Sequence, residues 1–426
     1  MNVTTMQSRR LVVYFETLVV GVLQETNNLW LFTYDEDWLS NVNGFDISPH
    51  LPRQIDTYLD GASERHVQWF FDNLLPEEGA RELLAADAKI SKDDIFGLLA
   101  YYGSESAGAL TLLAEGQHNP KGKFEAFSFA ALSARIKKLP SISLNKGSQK
   151  RMSLAGAQHK LPVVYQLGLL YEPTGAAPSS HIIKPDHPKP DEYWQSTRNE
   201  WFVMSLAKRM GFNVPTVDLI YVPEPVYLVE RFDREHVWPN QTRLHILDGC
   251  QMLALDKAFK YNRSNVDSLN QLNQLCRLKA KTRLELFKWA VFNALVGNTD
   301  AHLKNLSFFM TNNAITLTPF YDLLSTAIYA SERRFFNEEL SQPMGDALTL
   351  GELTKSDVIT FGQGLGLKEK QCLQQLDLLT STIEDHALAL YQEVENLAVN
   401  DCKAGELRML REIIYILIKE MVAKVR

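Results

Sequence analysis

Near residue 244 the chain changes its hydrophobic period, and that change limits the folds open to it. Before it, apolar and polar residues alternate in short runs. The runs 10–15, 18–24 and 29–34 predict strands of a small antiparallel sheet, with Gly21 and Asn27-Asn28 supplying turn chemistry. Residues 66–75, 78–88 and 95–101 predict helices, with Pro76 suited to the first turn of the second, and 106–113 predicts a strand. The polar stretch 137–149 predicts a loop. Strands at 161–167 and 180–184, a helix at 197–210 stopped by Gly211, and strands at 217–222 and 226–232 follow. Beyond 244, helical periods at 266–278, 282–296, 355–364, 369–396 and 405–424 dominate. The exception is 307–317, a hairpin expected to turn at Asn312-Asn313. The pattern predicts an α+β chain with a strand-rich, mixed N-terminal lobe and a mainly helical C-terminal lobe, divided as 1–130, 131–244 and 245–426. A cleft between two such lobes is a usual place for a nucleotide.

Charge narrows the partners. Lys and Arg number 44 against 51 Asp and Glu, a formal net charge of -7. Sequence-independent duplex binding leaves a basic footprint, so direct duplex binding is not the first expectation, while a local basic patch or DNA contact through a partner stays open. Cys250, Cys276, Cys372 and Cys402 form no CxxC pair and no zinc-like spacing, which predicts scattered thiols in a reducing compartment. Residues 11–16 are too short, and too soon interrupted by Glu16, to act as a secretion signal. No apolar run reaches membrane-spanning length, so a cytoplasmic location is expected.

The stretch Gly297-Asn298-Thr299-Asp300-Ala301-His302-Leu303-Lys304-Asn305 follows a strong helical period and precedes the hairpin. Asp300 and Asn305 have the D-x-x-x-x-N separation of a kinase catalytic loop, and Tyr321-Asp322 lies beyond the hairpin. Phosphoryl transfer asks for this order. One carboxylate (Asp300) orients the attacking hydroxyl, and an amide oxygen (Asn305) and a second carboxylate (Asp322) hold magnesium against ATP phosphates. His302, Leu303 and Lys304 place donors and backbone beside the phosphates, with Tyr321 next to Asp322. Asp, Asn and Gly also gather in ordinary turns, and it is the downstream Asp322 that favours chemistry here.

Upstream, Lys184 ends an apolar strand in the manner of a phosphate-touching kinase lysine, and Glu200, early on the next helix, is its candidate ion-pair partner. The segment Tyr227 to Arg234 links the two lobes, so Glu230, Arg231 and Phe232 are expected to face adenine through the Glu230 carbonyl and the Phe232 N–H. Ala155, Gly156, Ala157, Gln158, His159 and Lys160 form a small-residue loop whose successive N–H groups suit an anion, although it is neither a Walker sequence nor a G-x-G-x-x-G.

Taken in order, these segments resemble the HipA family of serine/threonine kinase toxins. Residues 71–76 resemble the family's N-terminal signature, and 103–110 its G-x-D-x-x-G-A strand entry, here with Glu105. The resemblance spans roughly residues 10–420 and implies a two-lobed protein-kinase-like fold. It implies a nucleotide loop at 155–160 and an inactivating autophosphorylation site at Ser153, whose added charge would oppose ATP binding. It implies a small helix-turn-helix antitoxin that binds operator DNA, and a protein substrate such as glutamate-tRNA ligase, an aminoacyl-tRNA ligase. His159 departs from the acidic residue of the best-known pattern. Two other readings compete: a small-molecule or lipid kinase sharing the Asp…Asn…Asp logic, and a non-catalytic ATP-binding co-repressor acting with an antitoxin.

Overall fold

The N-terminal strands form where apolar and polar residues alternate. β1 (Arg9–Phe15), β2 (Leu18–Thr26) and β3 (Leu29–Tyr34) make an antiparallel meander. Helix α1 (Glu36–Ser40), capped by the Asp35 carboxylate, leads to β4 (Tyr58–Leu59). Helices α2 (His66–Asp72), α3 (Glu78–Ala88) and α4 (Ile95–Tyr102) precede β5 (Leu110–Ala114), and the sheet order is β4-β3-β2-β1-β5. Val13, Val20, Leu23, Phe32, Phe71 and Leu112 fill its core. The structure is a computed structural model that describes residues 8–118, 120–146, 154–155, 158–235, 239, 241–312, 314–398 and 400–426.

Two expectations change here. Gly21 makes no turn: it sits inside β2 opposite Tyr34, where a Cβ would come within 2.4 Å of the Thr33 carbonyl oxygen and 2.7 Å of the Phe32 ring. The left-handed turn before β2 falls instead at Glu16 (φ 52°), while Asn27 and Asn28 (φ 54° and 61°) turn as expected. The strand expected from 106 begins only at Leu110, because the carbonyls of Ser106 and Gly108 accept hydrogen bonds from buried arginines instead of a neighbouring strand.

By internal contacts the chain forms two compact units. The first comprises Met1–Lys184, Glu230–Lys257 and Phe308–Ile315; the second comprises Pro185–Val229, Ala258–Ser307 and Thr316–Arg426. The first also holds β6 (Lys123–Phe127), α5 (Phe129–Ile136), β7 (Leu161–Gln166), β8 (Leu169–Thr174) and β9 (His181–Pro185). These strands pair antiparallel in the order β9-β7-β8-β6. The edge strand β6 is largely exposed, so its sequence carries no burial alternation.

In the second unit, α6 (Ser196–Arg209) ends before Gly211 (φ 80°), and β10 (Val217–Tyr221) pairs with β11 (Pro225–Glu230). Helices Val266–Leu275, Lys279–Leu295, Lys355–Gly364 and Glu369–Asn396 follow. The last helical run, 403–425, contains six residues of π geometry, Ile413–Ile418. The expected hairpin appears as Ser307–Met310 and Ile315–Leu317, with Phe308–Ile315 counted in the first unit; Asn313, half of its expected turn, lies outside the described residues. A second hairpin, Glu339–Met344 with Ala347–Thr349, interrupts the helical half at Gly345 (φ 56°). Arg198 pairs with Glu406 at 3.0 Å, and the Tyr221 hydroxyl donates to Glu406 at 2.6 Å, tying α6 to the C-terminal helical run. All four cysteines are free thiols, three of them buried. Among the described residues no helix is long and apolar enough to cross a membrane.

Candidate active site

The loop that carries Asp300 grows out of a helix ending. Helix Lys279–Leu295 closes with Gly297 in the left-handed region (φ 66°). The Gly297 N–H donates to the Ala294 carbonyl and the Asn298 N–H to the Asn293 carbonyl, at 3.2 and 2.8 Å. This is the paired bonding of a Schellman stop, and it requires a residue that tolerates positive φ. The Asn298 side chain then donates to Asn293 and accepts from the Asp300 N–H at 3.1 Å, an Asx turn that sets the direction of Asp300. Thr326 accepts from the Thr299 N–H at 2.6 Å, and the Ala327 N–H donates to the Gly297 carbonyl, so the loop is clamped from the far side.

Asn305 folds back onto the same loop. Its Nδ2 donates to the Asp300 carbonyl at 2.9 Å, as does the His302 N–H at 2.9 Å. Asn305 is buried, and among the described residues its Oδ1 accepts no hydrogen bond. Committing the nitrogen in this way presents the oxygen as an acceptor or ligand. Leu303 and Lys304 are buried in the intervening turn, and the Lys304 carbonyl accepts from the Tyr321 hydroxyl at 2.7 Å. The Asp300 side chain stays 43% exposed. The Tyr261 hydroxyl donates to its Oδ1 at 2.5 Å, and His302 Nε2 lies 4.0 Å from the same oxygen.

A second cluster in this unit joins Glu200, Tyr227 and Asp322. Asp322 holds φ at 59°, unusual for a residue with a side chain and a mark of functional strain elsewhere. The Asn199 amide grips the backbone of Ser325 in both directions, at 2.9 and 2.8 Å, fixing the segment after Asp322 against α6. Full burial pushes the Tyr227 hydroxyl well above its ordinary pKa, and the Glu200 and Asp322 carboxylates push it further. The second unit thus gathers Asp300 with Asn305 and Glu200 with Asp322, whereas sequence reasoning set Asn305 with Asp322 and Glu200 with Lys184.

In the first unit, Lys184 is 8% exposed near the end of β9. The Lys160 ammonium donates to the Ala155 carbonyl at 2.6 Å, closing the small-residue loop on itself; Gln158 and His159 lie between them. Ser153, Gly156 and Ala157 lie outside the described residues. Phe232 packs edge-on against Phe309, and Glu230 is half-buried.

Arg231 is fully engaged. Its Nε donates to Asp233, Nη1 to Glu105 and Ser179, and Nη2 to Asp233 and the Ser106 carbonyl, at 2.7–3.1 Å. Those contacts use the whole donor set of a guanidinium, so its side chain holds structure and leaves only backbone for a ligand. Arg234 donates to Glu105 at 3.1 Å and to the Gly108 carbonyl at 3.0 Å. Burial alone would raise Asp233, but Arg231 and Arg234 outweigh it and hold its carboxyl at about 2. Sequence reasoning missed Tyr261, Tyr227 and Thr326. Tyr227 at least stood in a segment already singled out, whereas Tyr261 and Thr326 carry no local signal.

Residues 152–387 match the HipA-like C-terminal domain family, and residues 11–113 match the HipA N-terminal domain. The serine/threonine-protein kinase toxin HipA of Shewanella oneidensis is 29% identical over 402 residues, 89% of each chain. The Y4mE protein of Sinorhizobium fredii is 29% identical over 428 residues, 95% of this chain and 99% of that one. Among solved structures, HipA of S. oneidensis MR-1, in a complex with HipB and its operator DNA, superposes with a TM-score of 0.81 at 26% identity, covering 98% of this chain and 99% of that one. These matches bear out the α+β, kinase-like fold with a strand-rich and a mainly helical lobe.

Proposed function

The chain belongs to the HipA family, and from that membership we propose that it is an ATP- and magnesium-dependent serine/threonine-protein kinase acting as the toxin of a toxin–antitoxin pair. The observation that carries this reading is the single loop on which Asn305 is pinned to the Asp300 carbonyl while the Asp300 carboxylate stays open to solvent. Asp300 receives the proton of the acceptor serine or threonine hydroxyl as its oxygen forms the new bond to the γ-phosphorus and the bond to the ADP oxygen breaks. Among the described residues no group of three His, Cys, Asp or Glu side chains is placed to hold a metal. A two-ligand set, the Asn305 amide oxygen and the Asp322 carboxylate, suits magnesium, which keeps waters and takes phosphate oxygens as its other ligands. Magnesium would supply charge neutralisation on the phosphates there.

Lys184 would meet the phosphates, supported by Glu200, and the 155–160 loop would wrap them with backbone N–H groups. Glu230, Arg231 and Phe232 would offer backbone groups to adenine, and His302, Leu303, Lys304 and Tyr321 would shape the phosphate side. The division 1–130, 131–244 and 245–426 would then separate an N-terminal part, a nucleotide-binding part and a catalytic part. The HipB and operator DNA seen with the S. oneidensis structure support a helix-turn-helix antitoxin as partner, with DNA reached through it. An aminoacyl-tRNA ligase is the proposed substrate.

The test is incubation with γ-labelled ATP and magnesium, followed by mapping of the label. Transfer to protein, with label at Ser153, is the expected result. Label passing only to sugars or lipids, or none despite ATP binding, overturns it.

A further inference from the structure

Tyr261 lies in no motif, yet its hydroxyl reaches the carboxylate to which the mechanism assigns the acceptor proton. The donor–acceptor distance to Asp300 Oδ1 is 2.5 Å, in the range of an O–H···O⁻ bond. A serine or threonine hydroxyl poised for transfer must donate to this same kind of oxygen at the same range. Two neighbours hold the ring: His302 meets it edge-on with centroids 4.9 Å apart, and the Lys260 ammonium sits 5.0 Å from its centroid. The backbone beneath is anchored, because the Leu303 N–H donates to the Lys260 carbonyl and the Ser264 N–H to the Tyr261 carbonyl. The side chain itself is 49% exposed. An anchored backbone with an exposed aromatic side chain allows the hydroxyl to swing away without disturbing the loop.

We propose that the Tyr261 hydroxyl stands in for the acceptor hydroxyl at Asp300 Oδ1, so that Tyr261 sets how tightly the acceptor binds and keeps water from that one oxygen when no acceptor is present. The proposal rests on the role given to Asp300 above. Tyr261 is a positioning residue: it touches Asp300, and the substrate hydroxyl displaces it. Without it, water would take the vacated place. The water oxygen would bond to the γ-phosphorus as the bond to ADP breaks, and its proton would pass to Asp300.

The test uses the full-length chain with magnesium and ATP and no protein acceptor, measuring ADP release. Tyr261→Phe keeps the ring and its contacts with His302 and Lys260 but removes the oxygen. Hydrolysis about tenfold faster than wild type is expected, the factor given by losing a competitor worth ~1.4 kcal/mol. With a pool of serine- and threonine-containing peptides, the acceptor KM should fall by a similar factor while kcat changes less than about twofold. A merely structural tyrosine would lower kcat or change neither constant, and either result overturns the proposal.

A second readout needs no turnover. With 3-fluorotyrosine at position 261, the ¹⁹F resonance should shift between the wild-type chain and Asp300→Gln, and an unmoved resonance also overturns the proposal. The two readings fail in different ways. If Asp300→Gln turns over ATP at the wild-type rate, Asp300 loses its role. If Asp300→Gln is inert and Tyr261→Phe is no faster than wild type, only the tyrosine proposal falls.

Discussion

Glu105 and Asp300 are both carboxylates at turns, but their surroundings differ in kind. The Glu105 side chain has no solvent exposure and meets Arg231 and Arg234 at 3.1 Å and Arg243 at 3.8 Å, with Ser179 donating at 2.6 Å. The Asp300 side chain is 43% exposed and meets a phenol that is itself half in solvent. The first arrangement offsets desolvation with three arginines and a serine hydroxyl and joins segments more than 120 residues apart. The second leaves a charged group accessible, so the fold gains little from it and it stays free to meet a ligand. One region reads as architecture and the other as chemistry, and each can be attacked separately.

The largest expected effect is at the open site. Asp300→Gln should lower phosphate transfer by about 10²- to 10⁴-fold, the range for losing a general base. Its melting temperature should move by less than about 2 °C, because an exposed carboxylate contributes little to folding. Labelled-ATP transfer and thermal melting on the same preparation decide it, and the comparison breaks if the variant melts early or transfers phosphate normally.

Glu105→Gln should do the reverse. Removing one charge leaves Asp233 as the carboxylate facing both buried arginines, Arg231 and Arg234, a loss of about 3–5 kcal/mol in the stability of the first unit. Urea unfolding measures it. Activity per folded molecule should stay within a few-fold of wild type, since Glu105 is not placed among the reacting groups. A midpoint equal to wild type would mean that the cluster contributes nothing net.

Acid sharpens the contrast inside the first unit. His245 is buried, stacked on Phe45, with Nε2 bonded to the Ile47 carbonyl, and among the described residues Nδ1 has no hydrogen-bond partner. Burial lowers it from 6.5 to about 4. The unfolded chain therefore takes the proton first, and stability should fall as pH drops from about 6.5 to 4, by on the order of 3 kcal/mol. Asp233, held at about 2 against an ordinary 3.8, acts in the same direction but in a lower window: its contribution is complete above about pH 4 and fades only toward pH 2. Unfolding free energy measured across this range should thus show an arm between pH 6.5 and 4 that His245→Gln flattens and Asp233→Asn does not.

Much of this was legible in sequence where the signal was local. The alternating runs of β1 to β3 and the long periods of helices Lys355–Gly364 and Glu369–Asn396 were placed within a few residues. The Asp300–Asn305 spacing pointed to a loop that does bring the two residues together. What escaped was non-local or weakly patterned. The exposed strand β6 shows no alternation, and the Glu339–Thr349 hairpin sits among helical periods. Sequence identifies Arg231 but not the direction of its guanidinium, which depends on Glu105 and Ser179 far away in the chain. Tyr261 has no motif because its partner lies 39 residues on.

The smallest effect should come from the same tyrosine seen as a stability element. Tyr261→Phe removes a hydrogen bond to a charged group, which inside a protein is worth about 1.5–3 kcal/mol. Here both partners are about half in solvent, so water replaces the lost donor and the hydroxyl had little desolvation to repay. The ring keeps its contacts with His302 and Lys260. The unfolding free energy should therefore change by no more than the ~1.4 kcal/mol that sets the tenfold competition at Asp300, while Glu105→Gln, which removes a buried charge, costs about 3–5 kcal/mol. Urea titrations of the two variants side by side test this. A Tyr261→Phe loss above about 2 kcal/mol would place the Asp300 loop on the architectural side of the comparison, because an accessible, displaceable contact does not support that much of a fold.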